Sequence, residues 1–430
     1  MGTVTIFRAA ENGDCPHFSS SVLIVGGGHA GAQTAIALRN NAAFTGSITI
    51  VTDEAELPYE RPPLSKDYLA GTKPFERLLL RSPHFWPERN INIVHDHRIA
   101  QVDSNARLAV SEQGHCFEYE ILVWAAGGRA RRLVCAGADL IGVHSVRSRA
   151  DIDRMRSELP RVERVVIIGG GYIGLEAAAV LSKLGKSVTL VEMMARVLSR
   201  VAGPEISAFF TAEHRAHGVE IRTETAVECI EGVERRVTGV RLATGEILAA
   251  ELVIVGVGII PNIEPLLESG AAASNGVDVD EFCRTSLPNV YAIGDCAAHD
   301  NRFARGERIR LESVQNANEQ AATVAKAIGG QPAPYASVPW FWSDQYDLKL
   351  QTIGLSLGYD TTVVRGDPAT RSFSVAYLRA GQVLALDCVN ATRDYVQGRK
   401  LVVEGAMVDP ARLADASVLL KEVSTIPPET

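Results

Sequence analysis

The sequence lacks the features of a secreted or membrane-spanning chain. Its first twenty residues contain no apolar core of the kind a signal peptide needs, and the longest apolar run, at 252–260, is too short to cross a bilayer. The formal charge of -8 is spread without long acidic or basic blocks, which argues against a protein that binds nucleic acid or a membrane surface. We therefore expect a cytoplasmic protein.

Cysteine is scarce and irregularly placed. The chain has seven cysteines, an odd number, with no Cys-x-x-Cys and no pair at metal-ligand spacing. This pattern favours reduced thiols over a disulfide framework and predicts no metal site.

What is present is typical of a multidomain α/β protein. A chain of 430 residues is too long for one ordinary core, and 46% hydrophobic with 22% charged residues is an average globular composition. From about 21 to 330, strand-like apolar runs alternate with helix-like stretches, which predicts parallel sheets covered by helices. Residues 335–400 favour short β segments and predict a C-terminal α+β domain.

One strand–helix–strand unit occurs twice. The predicted elements are a strand at 22–25, a helix at 29–40 and a strand at 47–53, then a strand at 165–168, a helix at 172–184 and a strand at 187–192. Strand-like segments at 119–128 and 250–262 end in glycine turns and bracket the second unit. This order predicts one dinucleotide-binding domain inserted into another.

Both units carry a Gly-x-Gly-x-x-Gly turn between the first strand and the helix. In such a turn the first glycine permits a tight bend, the second lets the backbone approach a pyrophosphate, and the third allows close helix packing. A lone motif also arises as a plain turn, but here both copies sit between a strand and a helix, whose N-terminus favours phosphate. The glycines are Gly26, Gly28 and Gly31 in the first turn, and Gly169, Gly171 and Gly174 in the second.

An acidic residue ends the second strand of each unit. Asp53 and Glu192 lie near the roughly 20-residue offset at which a carboxylate binds ribose hydroxyls. Because an acid there repels a 2'-phosphate, we expect NADH rather than NADPH at the second site. Arg196 and Arg200 lie just beyond Glu192 and argue the other way.

Two nucleotide sites in one chain predict electron transfer between a resident and an exchanging nucleotide, namely FAD and NADH. Asp295, after a strand and at a predicted helix start, is placed to accept a hydrogen bond from the ribityl chain, although alone it reads as an N-cap. The predicted divisions are an N-terminal extension at 1–20, an FAD-binding domain at 21–124 and 256–333, an NADH-binding domain at 125–255 and a C-terminal domain at 334–430.

The order of these motifs resembles the NADH-dependent ferredoxin reductases of bacterial oxygenase systems. The segments that carry the resemblance include "VLIVGGGHAG", "PYERPPLSKDYLAG", "VVIIGGGYIGLE", "VYAIGDCA" and "RLESVQNANEQA". The resemblance covers nearly all of the chain after residue 20 and implies the glutathione-reductase fold, with two Rossmann-like domains and a C-terminal domain. It also implies an enzyme that passes electrons from NADH through FAD to a [2Fe-2S] ferredoxin, which serves a cytochrome P450 or a Rieske dioxygenase.

The resemblance assigns site residues as well. Lys66 lies beside the flavin and pairs with Glu176, where a cation favours the negative charge that builds on the ring. The alternative for Lys66 is a solvated lysine at the start of a helix. For Trp342, a place in the hydrophobic core is as good an interpretation as a flavin contact. The other implied FAD contacts are Ala30, Asp53, Ile99, Arg129, Arg147, Asp295, Val314 and Trp342, and the implied NAD contacts include Ile173 and Gly258.

Other flavoproteins of this fold are the competing interpretations. Disulfide reductases need a reactive cysteine after the first unit, yet none lies between Cys15 and Cys116, and Cys283 and Cys296 suit buried positions. An NADH oxidase stays open as an alternative. An NADH-sensing flavoprotein of the apoptosis-inducing-factor type predicts a long regulatory insertion in the C-terminal domain, whereas this domain is compact here.

A ferredoxin partner predicts a positively charged docking patch. The candidates are Arg308, Arg310 and Lys349, which flank the flavin-proximal motifs and would steer an acidic partner. The alternative for these three residues is an ordinary solvated surface.

Overall fold

A seven-stranded sheet carries the first glycine turn. The computed structural model describes residues 17–423. The strands of this sheet are β1 (His17–Val25), β2 (Ile48–Val51), β3 (Ile91–Val94), β4 (Ile99–Asp103), β5 (Leu108–Ser111), β6 (Cys116–Trp124) and β18 (Val290–Ala292). Their order is β3-β2-β1-β6-β5-β4, with the central strands parallel. Strand β5 pairs with the first residues of β6, and β18 pairs with its last three, Leu122–Trp124. The predicted N-terminal extension lies outside the described residues apart from its last four, which open β1.

A second, fully parallel sheet carries the second turn. Its strands are β8 (Val143–His144), β9 (Arg164–Ile168), β10 (Ser187–Val191), β11 (Glu220–Arg222) and β15 (Leu252–Val255), in the order β11-β10-β9-β15-β8. An antiparallel meander packs against it, formed by β12 (Val227–Val233), β13 (Arg236–Leu242) and β14 (Ile247–Ala249).

Two short strands join the sheets where the chain leaves the first unit and returns to it. These are β7 (Gly128–Ala130) and β16 (Ile259–Pro261), which pair antiparallel. A small sheet follows, formed by β17 (Val277–Val279), β19 (Ala297–Asp300) and β20 (Arg308–Arg310). The insertion of one unit into the other is therefore confirmed. The chain passes between the two units at β7 and β16.

The C-terminal part is an antiparallel sheet with helices on one side. Its strands are β21 (Trp340–Gln345), β22 (Leu348–Gly354), β23 (Thr361–Asp367), β24 (Ser372–Arg379) and β25 (Gln382–Val389), ordered β21-β22-β25-β24-β23. The α-helices of the described residues are α1 (His29–Asn40), α2 (Phe85–Glu88), α3 (Arg149–Glu158), α4 (Tyr172–Lys183), α5 (Pro204–Ala216), α6 (Glu264–Glu268), α7 (Val314–Ile328), α8 (Thr392–Glu404) and α9 (Pro410–Ala414). Within residues 17–423 no helix is long and apolar enough to span a bilayer.

Hydrophobic cores pack the sheets and helices of the three parts together. Val22, Leu23 and Ile24 in β1 are fully buried because a parallel strand covered on both faces has no solvent side. Another core joins the second sheet to the C-terminal sheet, with Leu175 and Phe210 on one side and Phe373 on the other. The C-terminal sheet is therefore packed directly on the second nucleotide-binding unit.

Candidate functional site

The first glycine of each turn has a backbone that other residues rarely adopt. Gly26 has φ +114° and Gly169 has φ +112°. A Cβ added to Gly26 would lie 2.3 Å from the carbonyl oxygen of Ala125, and one added to Gly169 would lie 2.4 Å from that of Gly256. Glycine is therefore required at both positions, and the two turns have the same geometry.

The second glycines open onto free space. A Cβ on Gly171 would have no neighbour within 4 Å, and one on Gly28 would meet only Arg61 Nε, at 3.9 Å. Both residues are helix N-caps without a side-chain capping hydrogen bond, and neither helix has an acid in its first turn. The helix N–H groups are therefore available to a phosphate, which fits a dinucleotide at each turn.

The third glycines have a packing role. A Cβ on Gly31 would lie 2.0 Å from the carbonyl oxygen of Gly26, and one on Gly174 would lie 2.1 Å from that of Gly169. Each helix is thus pressed against its own turn, as the motif predicts.

Both turns open into one cavity of about 1680 Å³. Apart from the packing glycines Gly31 and Gly174, every residue predicted to contact a nucleotide lines this cavity. These residues are Gly26, Gly28, Ala30, Asp53, Lys66, Ile99, Arg129, Arg147, Asp295, Val314 and Trp342 for FAD, and Gly169, Gly171, Ile173, Glu192 and Gly258 for NAD. A single continuous cavity fits two nucleotides that meet inside one chain.

Lys66 and Glu176 form a buried ion pair in this cavity. Lys66 Nζ lies 2.8 Å from Glu176 Oε1, and the side chains are 15% and 2% exposed. Lys66 is therefore no solvated lysine; it follows the 3-10 helix Pro62–Ser65 and is held by a carboxylate from α4. Ser65 and Ser343 also donate to this carboxylate, which offsets the cost of burying its charge.

A network of charged side chains lies beside the first turn. Its central residue, Arg61, was not predicted from the sequence. Arg61 forms an ion pair with Glu54, and its Nη1 donates to the carbonyl oxygen of Arg147 at 2.9 Å. Burial opposes the charge of Glu54, but the Arg61 guanidinium and the Tyr59 hydroxyl bring the pKa of Glu54 below its usual value. In the sequence, the only sign of this network was Arg61 in the segment "PYERPP". Asp53, the acid predicted to bind ribose, is exposed beside this network.

The neighbouring side chains set the charge around the first turn. Burial, reinforced by Arg61, lowers the pKa of His29 to about 4, so this histidine is neutral at pH 7. Arg147 Nη2 lies 3.3 Å from Asp295 Oδ2. Asp295 lies in the 3-10 helix Gly294–Cys296, which follows β18 directly, at the place where the sequence predicts a helix start. Gly294, with φ +76°, turns the chain there.

At the second turn, Glu192 is bound to the backbone. Its Oε2 accepts from Gly170 N–H at 2.6 Å, and its Oε1 accepts from Met194 N–H at 2.8 Å. Ile173, one residue into the helix, is 42% exposed within the cavity. Arg196 donates to the carbonyl oxygen of Ala202 and to Ser207, so it is committed to the loop rather than free for a 2'-phosphate.

Aromatic side chains and a buried acid lie on the C-terminal side of the cavity. Trp342 is half-buried in the lining, and Tyr172 packs on Phe341 with ring centroids 4.6 Å apart. Asp387, which sequence reasoning missed, is 4% exposed and accepts from Tyr377 Oη at 2.6 Å. Burial raises the pKa of Asp387 to about 7, so it holds a proton part of the time at neutral pH.

The cavity lining contains no cysteine among residues 17–423. Cys283 and Cys296 are both buried, and burial raises the pKa of the Cys296 thiol to about 12. Neither thiol is in a position to form the reactive thiolate that a disulfide reductase needs.

Comparison with known proteins agrees with this geometry. Residues 20–321 match the pyridine nucleotide-disulphide oxidoreductases, and residues 340–424 match the reductase C-terminal family. The chain belongs to the pyridine nucleotide-disulphide oxidoreductase family. Members of this family bind FAD and use NAD(H), which confirms the two predicted cofactors.

Individual relatives within this family are more specific about the kind of reductase that the chain resembles. The chain is 60% identical over 410 residues to the 5,5'-dehydrodivanillate O-demethylase ferredoxin reductase subunit of a Sphingobium species, covering 95% of this chain and 99% of the relative. The ferredoxin reductase of the CYP199A2 system from Rhodopseudomonas palustris has a TM-score of 0.90 at 41% identity, covering 94% of this chain and 99% of that structure. The covalent putidaredoxin reductase–putidaredoxin complex has a TM-score of 0.90 at 39% identity, covering 94% and 98%. The predicted resemblance to reductases of oxygenase systems is therefore confirmed.

Proposed function

We propose that the chain is an FAD-dependent NADH:ferredoxin reductase that supplies an oxygenase system with electrons. When bound, FAD takes two electrons from NADH and releases them singly to an iron–sulfur carrier. The observation that carries the proposal is the Lys66–Glu176 pair, which lies in the one cavity that both glycine turns enter. We assign the turn at Gly26 to FAD and the turn at Gly169 to NADH, with the domain boundaries predicted from the sequence.

The side chains would act by binding and by charge. The backbone at Gly28 and the N-terminus of α1 would hold the FAD pyrophosphate, and α7, which begins at Val314 in the cavity wall, would direct its N-terminus at the ring. The Lys66 ammonium would favour negative charge on the ring, while Glu176 fixes the position of the ammonium. Trp342 and the aromatic side chains beside it would cover the flavin.

The decisive experiment compares electron acceptors. The purified protein should be yellow, should be bleached by NADH without oxygen, and should reduce a [2Fe-2S] ferredoxin much faster than it reduces oxygen. Oxygen consumption at the same rate with and without ferredoxin would favour the NADH oxidase alternative. A colourless protein that neither binds FAD nor responds to NADH would refute the proposal.

The preference for NADH should depend on Glu192. We expect Glu192→Ala to raise the KM for NADH by about tenfold, equivalent to the loss of one charge-assisted hydrogen bond, and to lower the NADH-over-NADPH preference. The measurement is kcat/KM with both coenzymes. Glu251→Ala is the matched control, because Glu251 also accepts from backbone N–H groups of the second unit but lies outside the cavity lining. An unchanged coenzyme ratio in Glu192→Ala would contradict the assignment.

The three docking candidates differ in exposure. Arg310 is 8% exposed, pairs with Glu312 and donates to the carbonyl oxygen of Asp295, so reversing its charge would also disturb the cavity. Arg308 is partly exposed and pairs with two acids, Asp278 and Asp300. Lys349 is exposed on β22. We propose Lys349 as the better test of an acidic partner.

Reversing the charge of Lys349 should slow the encounter. We expect Lys349→Glu to lower the ferredoxin association rate by about threefold to tenfold at low ionic strength and by much less at high salt. Stopped-flow reduction of ferredoxin at several salt concentrations measures this. Lys400→Glu, on the exposed face of α8, is the control. If both variants showed the same salt dependence, Lys349 would belong to an ordinary solvated surface.

A further inference from the structure

A continuous chain of hydrogen bonds runs from Glu176 through the C-terminal sheet and back to the second unit. Its members are Glu176, Ser343, Gln345, His214 and Tyr346. Ser343 Oγ lies 2.6 Å from Glu176 Oε1, and Gln345 Nε2 lies 3.1 Å from Ser343 Oγ. His214 Nε2 lies 2.8 Å from Gln345 Oε1, and Tyr346 Oη lies 3.0 Å from His214 Nδ1.

The carboxylate at one end fixes the direction of every bond. Ser343 donates its hydroxyl proton to Glu176, so its lone pair must accept, and Gln345 must present its NH2 group to it. Gln345 then turns its oxygen to His214, which requires the proton on Nε2 and leaves Nδ1 to accept from Tyr346. All four donors therefore point toward Glu176, and His214 is fixed as the neutral Nε2–H tautomer.

The chain is sealed from water along most of its length. Ser343 and His214 are 0% exposed, and Gln345 is 1% exposed. Burial lowers the pKa of His214 to about 4, which keeps the ring neutral near pH 7 and agrees with its place as both donor and acceptor. Hydrogen bonds of this kind strengthen one another in a dry interior.

The outer end is held by an unusual turn. Tyr346 lies in the tight hairpin between β21 and β22 with φ 59°, a left-handed conformation that favours glycine or asparagine. This turn stacks the tyrosine ring on His217, with centroids 3.8 Å apart and planes at 16°, and places Lys183 Nζ 5.6 Å from the ring centroid. An outlier backbone of this kind occurs where the surrounding contacts determine it.

We propose that Ser343, Gln345, His214 and Tyr346 are positioning residues that hold Glu176, and through it Lys66, in place beside the flavin. The inference rests on the proposed function, since it concerns the same ion pair. Gln345 interrupts proton transfer, because an amide must tautomerise to pass a proton along. The chain therefore orients the ion pair and does not conduct protons. It also ties the position of Lys66 to the packing of the C-terminal hairpin on α5.

The first test removes the hydroxyl that reaches Glu176. We expect Ser343→Ala to slow reduction of the flavin by saturating NADH about tenfold, the effect of losing one hydrogen bond to a charged group, with the NADH dissociation constant changed less than about twofold. Ser343→Thr, which keeps the hydroxyl, should recover the rate to within about twofold. Ser374→Ala is the control, because Ser374 is equally buried in the same sheet and donates to Asp394 at 2.8 Å.

The second test does not depend on catalysis. In protein with 15N-labelled histidine, the His214 signal, assigned by its absence in His214→Gln, should show the Nε2–H tautomer at pH 7, and Tyr346→Phe should shift its Nδ1 resonance. A His214 protonated on Nδ1, or a Ser343→Ala rate no lower than that of Ser374→Ala, would overturn the proposal. If NADH failed to reduce the wild-type flavin, the proposed function would fail, while the tautomer would still test the chain.

Discussion

Replacing Lys66 with methionine is expected to slow reduction of the bound flavin by NADH by about 10²- to 10³-fold, the usual effect of removing one preorganised electrostatic group. Methionine keeps an unbranched apolar stem, so the packing around the 15%-exposed side chain changes little while the charge disappears. FAD should remain bound, because the glycine turn and α1 are untouched. Anaerobic stopped-flow absorbance measures the rate directly.

A matched control separates the effect of removing the Lys66 charge from the general effect of replacing a lysine by methionine. Lys73 lies in the same segment and pairs with Glu60 at 3.4 Å, with side chains 30% and 46% exposed. Lys73→Met should reduce the flavin at close to the wild-type rate, because an exposed ion pair contributes little. If Lys66→Met stayed within about threefold of Lys73→Met, the proposed role of the Lys66 charge in reduction would be wrong.

Variants of Glu176, the partner of Lys66, allow the effect of the ion pair on folding stability to be measured separately from its effect on flavin reduction. Removing Glu176 alone leaves the Lys66 charge buried without its partner, so Glu176→Leu should lower the free energy of unfolding by about 3 kcal/mol. The double variant Lys66→Met with Glu176→Leu should regain much of that stability, because an apolar pair replaces a buried ion pair. It should not regain the rate of flavin reduction. Recovery of both together would mean that the pair is structural only.

The elements nearest the glycine turns could be predicted from the sequence alone. The helix predicted at 29–40 is His29–Asn40, and the one predicted at 172–184 is Tyr172–Lys183. The two helix predictions agree with the structure because the features that predict them are local in the sequence. A fully buried parallel strand is a continuous apolar run, and the backbone at Gly26 and Gly169 requires glycine. The resemblance supplied the fold as a whole.

The contacts inside the cavity could not be predicted from spacing. Lys66, Glu176 and Ser343 come from three distant segments, so their meeting depends on how the second unit and the C-terminal sheet pack. The burial of Arg310 was missed for a similar reason, since a sequence does not show which arginines are already paired. One signal was available: in "WFWSDQ" the period-two alternation places Ser343 and Gln345 on the same buried face of β21, where polar side chains need partners.

The assignment of each nucleotide to its turn is open to a sharper test, in which Gly28→Ala should weaken FAD binding and Gly171→Ala should weaken NADH binding. Gly28 and Gly171 have φ of -78° and -80°, which alanine adopts without strain, and the protein leaves room for the added methyl. Apart from the ordinary contact of the Gly28→Ala methyl with Arg61 Nε at 3.9 Å, each added methyl would meet only a bound nucleotide. An overpacked contact costs about 1–3 kcal/mol, so we expect each affinity to fall by roughly fivefold to 150-fold.

The measurements are the FAD-to-protein ratio after desalting, the dissociation constants of both nucleotides, and the melting temperature of the FAD-free protein. Gly26→Ala is the comparison, since its methyl would lie 2.3 Å from the Ala125 carbonyl oxygen at φ +114° and should destabilise the fold itself. The first turn would be established as the FAD site if the Gly171→Ala protein kept its FAD but needed more NADH, while the Gly28→Ala protein folded but retained less FAD after desalting. The opposite pattern would exchange the two assignments.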